Sequence, residues 1–218
     1  SDGTVQQAPS RADVMACIDE LKKQDVKAVA VCFLNSYTNP DNERVVGDML
    51  RQAMPDLFVS LSSEIAPQIR EYPRASTTAI NAFTMPISQP YLRALAQRLK
   101  KENYANDPLI MLSSGGIIGA DVAGRNPVRM IESGPAAGAL AASHYAKVLG
   151  LERLMSFDMG GTTAKACLIE NFQPLITGLF EVDRRYRFKE GSGMPVTIPS
   201  IDMIEIGAGG GSLAYVDD

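Results

Sequence analysis

Ser156-Phe157-Asp158-Met159-Gly160-Gly161-Thr162-Thr163-Ala164-Lys165 is the stretch on which the reading of this sequence turns. An apolar strand, 154–158, delivers an aspartate into a Gly-Gly-Thr-Thr turn, and a second apolar strand, 165–169, leaves it. Glycines without a Cβ let backbone N–H groups come close to a phosphate. The hydroxyls of Thr162 and Thr163 can add hydrogen bonds. A carboxylate at Asp158 beside phosphates can hold Mg²⁺ through water, or orient an attacking nucleophile. The plainer alternative is a tight hairpin whose glycines serve only to reach positive φ. The segment lacks the Gly-Lys-Ser/Thr ending of a Walker A loop.

Working outward, a second glycine turn follows the strand 204–206: Gly207-Ala208-Gly209-Gly210-Gly211-Ser212. Four glycines in five residues suggest backbone approaching a ligand, approaching another backbone, or a flexible turn. A dinucleotide fingerprint is a poor fit, because no helical pattern follows. Asp202 and Glu205 flank the strand as a candidate metal or acid–base pair, or as surface carboxylates. Upstream, Ser133-Gly134-Pro135-Ala136-Ala137-Gly138 opens a helix over 133–148 whose first turns carry almost no side chains. Such a helix suits close packing, and its N-terminus can face an anion. His144, the only histidine, has no clustered partners and reads as structural. Ser113-Ser114-Gly115-Gly116 is a strand-end turn that could line a cleft.

The first half of the chain reads as alternating helix and strand. Val14, Cys17, Ile18 and Leu21 recur at helical spacing over 11–24, with Ser10 and Asp13 as a capping pair. Residues 28–34 form a continuous apolar run, expected of a strand buried on both faces. Asn39-Pro40 opens a second helix striped by Val45, Val46, Met49 and Leu50 and closed by Pro55. A strand at 57–61 completes a predicted parallel β-α-β unit. From 63 to 101 the pattern is helical but punctuated by Pro67, Pro73, Pro86 and Pro90, which predicts two or three helices or kinked segments. Tyr91, Leu92, Leu95 and Leu99 share a face of the last. Further strands are predicted at 109–112 and 196–201.

Composition narrows the function classes. The chain has 218 residues, 45% hydrophobic and 21% charged, with a net charge of −4. That balance is ordinary for a globular protein and gives no nucleic-acid footprint. The short basic runs Arg98-Leu99-Lys100-Lys101 and Arg184-Arg185-Tyr186-Arg187 read as solvated faces. No apolar run reaches the ~18 residues of a membrane span. The three cysteines, Cys17, Cys32 and Cys167, lack metal-ligand spacing and read as buried free thiols in a cytoplasmic, reducing setting. The ten methionines read as core filler. The chain begins Ser1-Asp2-Gly3 and ends directly after a strand-like run, so both ends read as cut from something longer.

Taken together, four stretches in order resemble the hydantoinase A/5-oxoprolinase family, which includes acetone and acetophenone carboxylase subunits. They are Cys32-Phe33-Leu34-Asn35-Ser36-Tyr37 with Asn39-Pro40 and Glu43; Ser62-Ser63-Glu64-Ile65-Ala66-Pro67 through Arg70-Glu71-Tyr72; residues 133–138; and Phe157-Asp158-Met159-Gly160-Gly161-Thr162 followed by residues 207–212. The resemblance implies an α/β fold of the actin/hexokinase-like ATPase (ribonuclease-H-like) type, incomplete here. Residues 1–75 would then close the family's N-terminal domain and 76–218 open its main domain, with 133–148 as the helix connecting two lobes. It implies ATP and Mg²⁺ as cofactors, with Asp158 as the catalytic and metal-holding residue. Gly160, Gly161, Thr162, Thr163, Lys165, Gly209, Gly210 and Gly211 would form the nucleotide site. The implied chemistry is phosphorylation of an amide or carbonyl oxygen, then ring opening or carboxylation, with a hydantoinase B-type partner subunit; a homo-oligomer is left open. Many family members carry Ser-Thr-Asp after Gly-Gly-Thr, where this chain has Thr163-Ala164-Lys165. Lys165 thus places a cation where others have a carboxylate, to contact a phosphate or to point away. An actin-fold small-molecule kinase and a non-catalytic assembly domain are the alternative readings.

Overall fold

The computed structural model describes residues 2–186, 189–213 and 215–216. In chain order the elements are α1 (Arg11–Lys23), β1 (Ala28–Val31), α2 (Asp41–Ala53), β2 (Phe58–Leu61), α3 (Ser62–Ile65), α4 (Glu71–Lys101), β3 (Leu109–Met111), β4 (Ile117–Gly119), α5 (Ala120–Arg125), a 3-10 turn (Pro127–Met130), α6 (Ser133–Leu149), β5 (Arg153–Met159), β6 (Ala164–Glu170), β7 (Gln173–Pro174), β8 (Ile176–Thr177), β9 (Phe180–Val182), β10 (Met194–Val196), β11 (Ser200–Ile201) and β12 (Ile204–Ile206). They divide between two compact units. The first holds residues 1–109, 119–128 and 179–198; the second holds 110–118, 129–178 and 199–218.

In the first unit β1 and β2 pair in parallel, Ala28 opposite Phe58 and Val31 opposite Leu61, as the predicted β-α-β unit requires. The Ser10 hydroxyl accepts from the Asp13 N–H and caps α1. In α2 the N-cap is Pro40, one position later than the expected Asn39, and it makes no side-chain cap; Asn39 Oδ1 accepts from the Asp41 N–H at 2.9 Å just ahead of it. Val14 and Ile18 of α1, Leu50 of α2, and Val31, Val59 and Leu61 of the strands close one core cluster. Ile18 and Leu61 are fully buried, and each such side chain contributes roughly 1.5–3 kcal/mol over its exposed state.

Two expectations change here, the reach of the first strand and the burial of two cysteines, while the two or three helical segments expected over 63–101 are met by two. The strand predicted over 28–34 stops at Val31, and Leu34 is 76% exposed. The backbone of Phe33 is diverted from the ladder: its N–H donates to Glu43 Oε1 and its carbonyl accepts from Arg74 and Ser36. The region 63–101 holds two helices, with Pro67 between them and the other prolines inside α4, which runs unbroken for 31 residues. Pro73 falls in the first turn, where a missing N–H costs little. Pro86 and Pro90 each remove an interior hydrogen bond, yet Ile80, Ala82, Met85, Gln89 and Leu92 are buried around them, so tertiary packing carries the helix through. Cys17 and Cys32 are exposed, and only Cys167 is buried. Cys17 lies off the Val14/Ile18 face of α1, and Cys32 follows the end of β1.

The first four-part motif turns out to be a buried polar network. Glu43, with no exposed surface, accepts from the Ser36 hydroxyl at 2.7 Å, the Ser62 hydroxyl at 2.5 Å, and the N–H groups of Phe33 and Ser63, both at 2.8 Å. Burial pushes the Glu43 carboxyl up, but these hydrogen bonds outweigh it and hold the group below its ordinary value. The Arg74 guanidinium, 1% exposed, reaches the same Ser36 hydroxyl at 2.8 Å and lies over the Tyr37 ring.

In the second unit β5 and β6 form an antiparallel hairpin, and β12 adds to the other side of β6. Helix α6 packs on this sheet, and Ala136 and Ala139 share a core with Cys167 and Ile201. Small side chains on the helix let the two backbones lie close. Ser113 is buried, its hydroxyl donating to the Arg129 carbonyl and accepting from the Glu132 N–H, so this serine is structural rather than cleft-lining. Gly115, at φ +84, turns the chain where a Cβ would strike Leu140. The strand predicted over 196–201 is split: β10 pairs β9 in the first unit and β11 pairs β8 in the second, with Pro199, which lacks a ladder donor, among the residues separating them. Of the basic residues, Lys100 pairs with Asp107 and Arg184 with Glu181, while Arg187 lies outside the described residues, as do Ser1, Phe188, Ala214, Asp217 and Asp218. No helix is long and apolar enough to cross a membrane among the described residues.

Candidate functional site

The hairpin puts residues 160–163 at its tip. Met159 stands opposite Ala164, and the Gly160 N–H closes the turn on the Thr163 carbonyl at 2.9 Å. So the segment is a hairpin, but not for the plainer reason: neither Gly160 nor Gly161 has positive φ. Gly161 and Thr162 are exposed, and among the described residues no hydrogen bond uses the N–H of Gly161, Thr162 or Thr163. Three successive backbone donors without protein acceptors, in a turn with no bulky side chain at its start, are what an anion's oxygens can use.

The second glycine turn, some fifty residues later, meets the first. The Gly210 N–H donates to the Gly160 carbonyl at 2.9 Å. A Cβ built on Gly209 would lie 2.4 Å from the carbonyl carbon and oxygen of Gly161, so only glycine fits. Ser212 stiffens the turn, its hydroxyl accepting from the Gly209 N–H at 3.0 Å. Of the alternatives open at Gly207–Ser212, the structure shows backbone lying on backbone at Gly209. Gly210 and Gly211 are exposed beside the first turn.

Alternation along β5 and β6 sets the charges. Asp158 stands opposite Lys165, and Lys165 opposite Glu205, so the three form one row across three strands. The Lys165 ammonium donates to Glu205 at 2.8 Å and to the Thr163 hydroxyl at 3.2 Å, and it lies 3.8 Å from Glu132, just before α6. Its side chain is only 14% exposed. Burial pulls the Lys165 pKa down, but Glu205, Glu132 and Asp158 outweigh it and hold the ammonium above its ordinary value. Burial raises the Glu132 carboxyl; Lys165 pulls it back and Glu205 pushes it further, with a net upward shift. Asp202 precedes β12 and acts on Cys167, whose thiol is raised first by burial and then by that carboxylate, whereas Glu205, inside β12, pairs with Lys165.

Beside the row lies a cavity of about 160 Å³, lined by Pro135, Gly138 and Ala139 of α6 and by Ser156, Asp158 and Lys165. Among the described residues no three His, Cys, Asp or Glu side chains gather to hold a metal ion. A Mg²⁺ ion here would rest on the Asp158 carboxylate, with water and phosphate oxygens completing its shell, which is how Mg²⁺ is commonly held at phosphates. The residues present therefore fit a metal that arrives with its phosphate. His144 is exposed on α6, edge-on to Tyr145 and remote in role from this row.

Sequence reasoning placed Asp158, both glycine turns and Lys165 in one site, and the structure brings them together. It missed Glu132, which is 33 residues from Lys165 and carries no motif. Glu205 as the partner of Lys165 was legible only through the strand register.

This geometry, an aspartate-ended strand, a glycine-threonine turn and an antiparallel return strand, is that of a hairpin in an α/β fold of the ATPase class. The hydantoinase/oxoprolinase family model matches residues 74–218, and that family's N-terminal-region model matches residues 1–54. The chain belongs to the hydantoinase/oxoprolinase family, and its fold is of the actin/hexokinase-like ATPase type. An uncharacterized protein of Methanocaldococcus jannaschii is 42% identical over 91% of the chain and 30% of its own length. The caprolactamase alpha subunit of Pseudomonas jessenii is 33% identical over the whole chain and 30% of its own length, and the crystal structure of that ATP-dependent enzyme superposes with a TM-score of 0.80. A nucleotide-free structure of acetone carboxylase gives a TM-score of 0.81 at 25% identity, again over the whole chain and 30% of the other. The chain thus spans about 30% of the length of these relatives.

Proposed function

We propose that this chain is the phosphate-loop part of a longer cytoplasmic ATP-dependent enzyme that activates an amide or carbonyl oxygen by phosphoryl transfer. The product would be an opened cyclic amide, or a carboxylated ketone, made together with a hydantoinase B-type partner subunit. In that enzyme residues 1–75 would belong to the family's N-terminal domain and residues 76–218 to its main domain. The observation that carries the reading is the turn at 160–163, with three N–H groups that have no partner among the described residues, just after the strand that carries Asp158, and a floor made by Gly209 and Gly210. MgATP supplies the phosphoryl group. Gly161, Thr162 and Thr163 would bind its oxygens through N–H and hydroxyl donors, placed where negative charge builds up during transfer. Asp158 would hold the magnesium-bound water or orient the nucleophile. The names of the relatives support this reading, since one of them is a caprolactamase and another an acetone carboxylase.

The test is ATP hydrolysis by the full-length protein with its partner subunit, against hydantoins, 5-oxoproline, lactams, and ketones with bicarbonate. One class should stimulate hydrolysis, and Asp158→Ala should reduce that stimulated rate by roughly 100-fold or more, the range seen when a general base or transition-state stabiliser is lost. Absence of MgATP binding and hydrolysis under every condition would sink the reading.

A further inference from the structure

Lys165 is the one residue of the site whose chemistry the phosphate-loop reading does not use, and its surroundings are specific. An ammonium can only donate hydrogen bonds. Its contact with Thr163 Oγ1 therefore makes that hydroxyl the acceptor, and leaves the single hydroxyl proton of Thr163 to donate elsewhere. Among the described residues no acceptor takes that proton. Glu205 and Glu132 hold the ammonium from the other side, and with 14% exposure the side chain has little freedom to leave. Hydrogen bonds in series polarise one another, so a hydroxyl that accepts from a cation is a stronger donor.

From this geometry we infer that Lys165 is a positioning residue acting through Thr163: Glu205 anchors the ammonium at 2.8 Å, the ammonium orients the Thr163 hydroxyl, and the hydroxyl donates to a phosphoryl oxygen at the turn. The inference rests on the phosphate-loop reading and assigns the cation a role other than direct contact with phosphate. It also explains how a lysine can be tolerated in a row with Asp158 and Glu205: without it three carboxylates would face one another beside a polyanion.

A double-mutant cycle with the full-length protein tests it, with MgATP affinity measured by calorimetry and ATP hydrolysis in parallel. Lys165→Met should weaken MgATP binding on the order of 10-fold, the size of one charge-assisted hydrogen bond. The same substitution should have a similar effect in a Thr163→Ser background, which keeps the hydroxyl. In a Thr163→Val background it should have almost none, because the group it acts through is gone. Additive effects of Lys165→Met and Thr163→Val would overturn the inference in favour of direct phosphate contact, while leaving the phosphate loop standing. Should Lys165→Met fail to fold, Glu205→Gln with the same two Thr163 backgrounds serves: a loss confined to the hydroxyl-bearing backgrounds supports the relay, and an equal loss in all three overturns it. Wild-type protein that does not bind MgATP would overturn the phosphate-loop reading and this inference with it.

Discussion

The chain holds two polar constellations, and they are built on opposite plans. Around Glu43 and Arg74 in the first unit, charges are buried and their partners are protein groups: two serine hydroxyls and two backbone N–H groups close on one carboxylate. Around Asp158 and Lys165 in the second unit, the carboxylate is exposed and the backbone donors of the turn are unused among the described residues. Glu43 and Asp158, at the centre of each, lie in stretches that mark the family, yet for different reasons. Most polar groups of the first are spent on one another, with Arg74 Nε and the Ser63 hydroxyl left without partners among the described residues; its residue identities are fixed by the cost of burying further members unpaired. A turn with donors to spare, whose glycines are held tightly by a second turn, is organised for something that is not in the protein. Family-marking residues therefore divide into those that hold the fold and those that face a ligand, and the division follows the accounting of hydrogen bonds.

The largest effect should come from breaking the first constellation. Glu43→Ala leaves the Ser62 hydroxyl and the Phe33 and Ser63 N–H groups without their acceptor, and takes from the Ser36 hydroxyl one of its two. The expected loss is about 3 kcal/mol or more in urea unfolding, at roughly 1–3 kcal/mol for each buried polar group left unpaired. The carboxyl's pKa is depressed in the folded state, so its contribution is present above the ordinary carboxylate range and is lost as pH falls through the depressed value. The acid limb of the stability profile should flatten in Glu43→Gln. MgATP affinity of whatever fraction folds should be unchanged. A well-folded Glu43→Ala variant that has lost only nucleotide affinity would erase the contrast between the two constellations.

A smaller effect should come from the brace beneath the turn. In Gly209→Ala the new methyl meets the Gly161 carbonyl at 2.4 Å, and backbone cannot swing aside as a side chain can. Overpacking of this kind costs about 1–3 kcal/mol, and it should displace the 160–163 turn and weaken MgATP binding at least 10-fold. Gly211→Ala is the matched control, because its Cβ would meet the Gly161 carbonyl oxygen at an ordinary 3.9 Å. Equal behaviour of the two variants in calorimetry would show that the second glycine turn is not a brace.

What could be read in advance follows the same division. Local signals were sufficient where local chemistry decides: the cap at Ser10 and the turn at 160–163 are set by residues within a few positions. They failed where distant residues decide. Residues 32–34 look as strand-like as 28–31, but the chain leaves the ladder because Glu43 and Arg74 claim the Phe33 backbone. Pro86 and Pro90 predict breaks that the buried face of α4 overrides. Cys17 fits the helical period but sits beside the buried face rather than in it. The role of Gly209 was one of three open alternatives, since nothing nearby says that Gly161 will lie above it.

The smallest effect concerns Glu132, where the two plans meet in one residue. Its side chain is partly buried where that of Glu43 is fully so, and among the described residues its carboxylate pairs with Lys165 at 3.8 Å, a distance at which the pair is loose. Burial therefore wins, and the carboxyl titrates above its ordinary value. A raised carboxyl takes up a proton on folding, so its favourable contribution is complete below the unfolded pKa and disappears as pH rises through the folded one. Glu132→Gln removes that dependence. Thermal unfolding of the variant should gain on wild type as pH rises from the carboxylate range toward neutral, by less than about 1 kcal/mol because the pair it gives up is weak. Loss of stability in the variant at neutral pH would mean that Glu132 is a true anchor of Lys165, nearer in kind to Glu43. The site in the second unit would then be as self-satisfied on its α6 side as the network in the first, and open only at the turn.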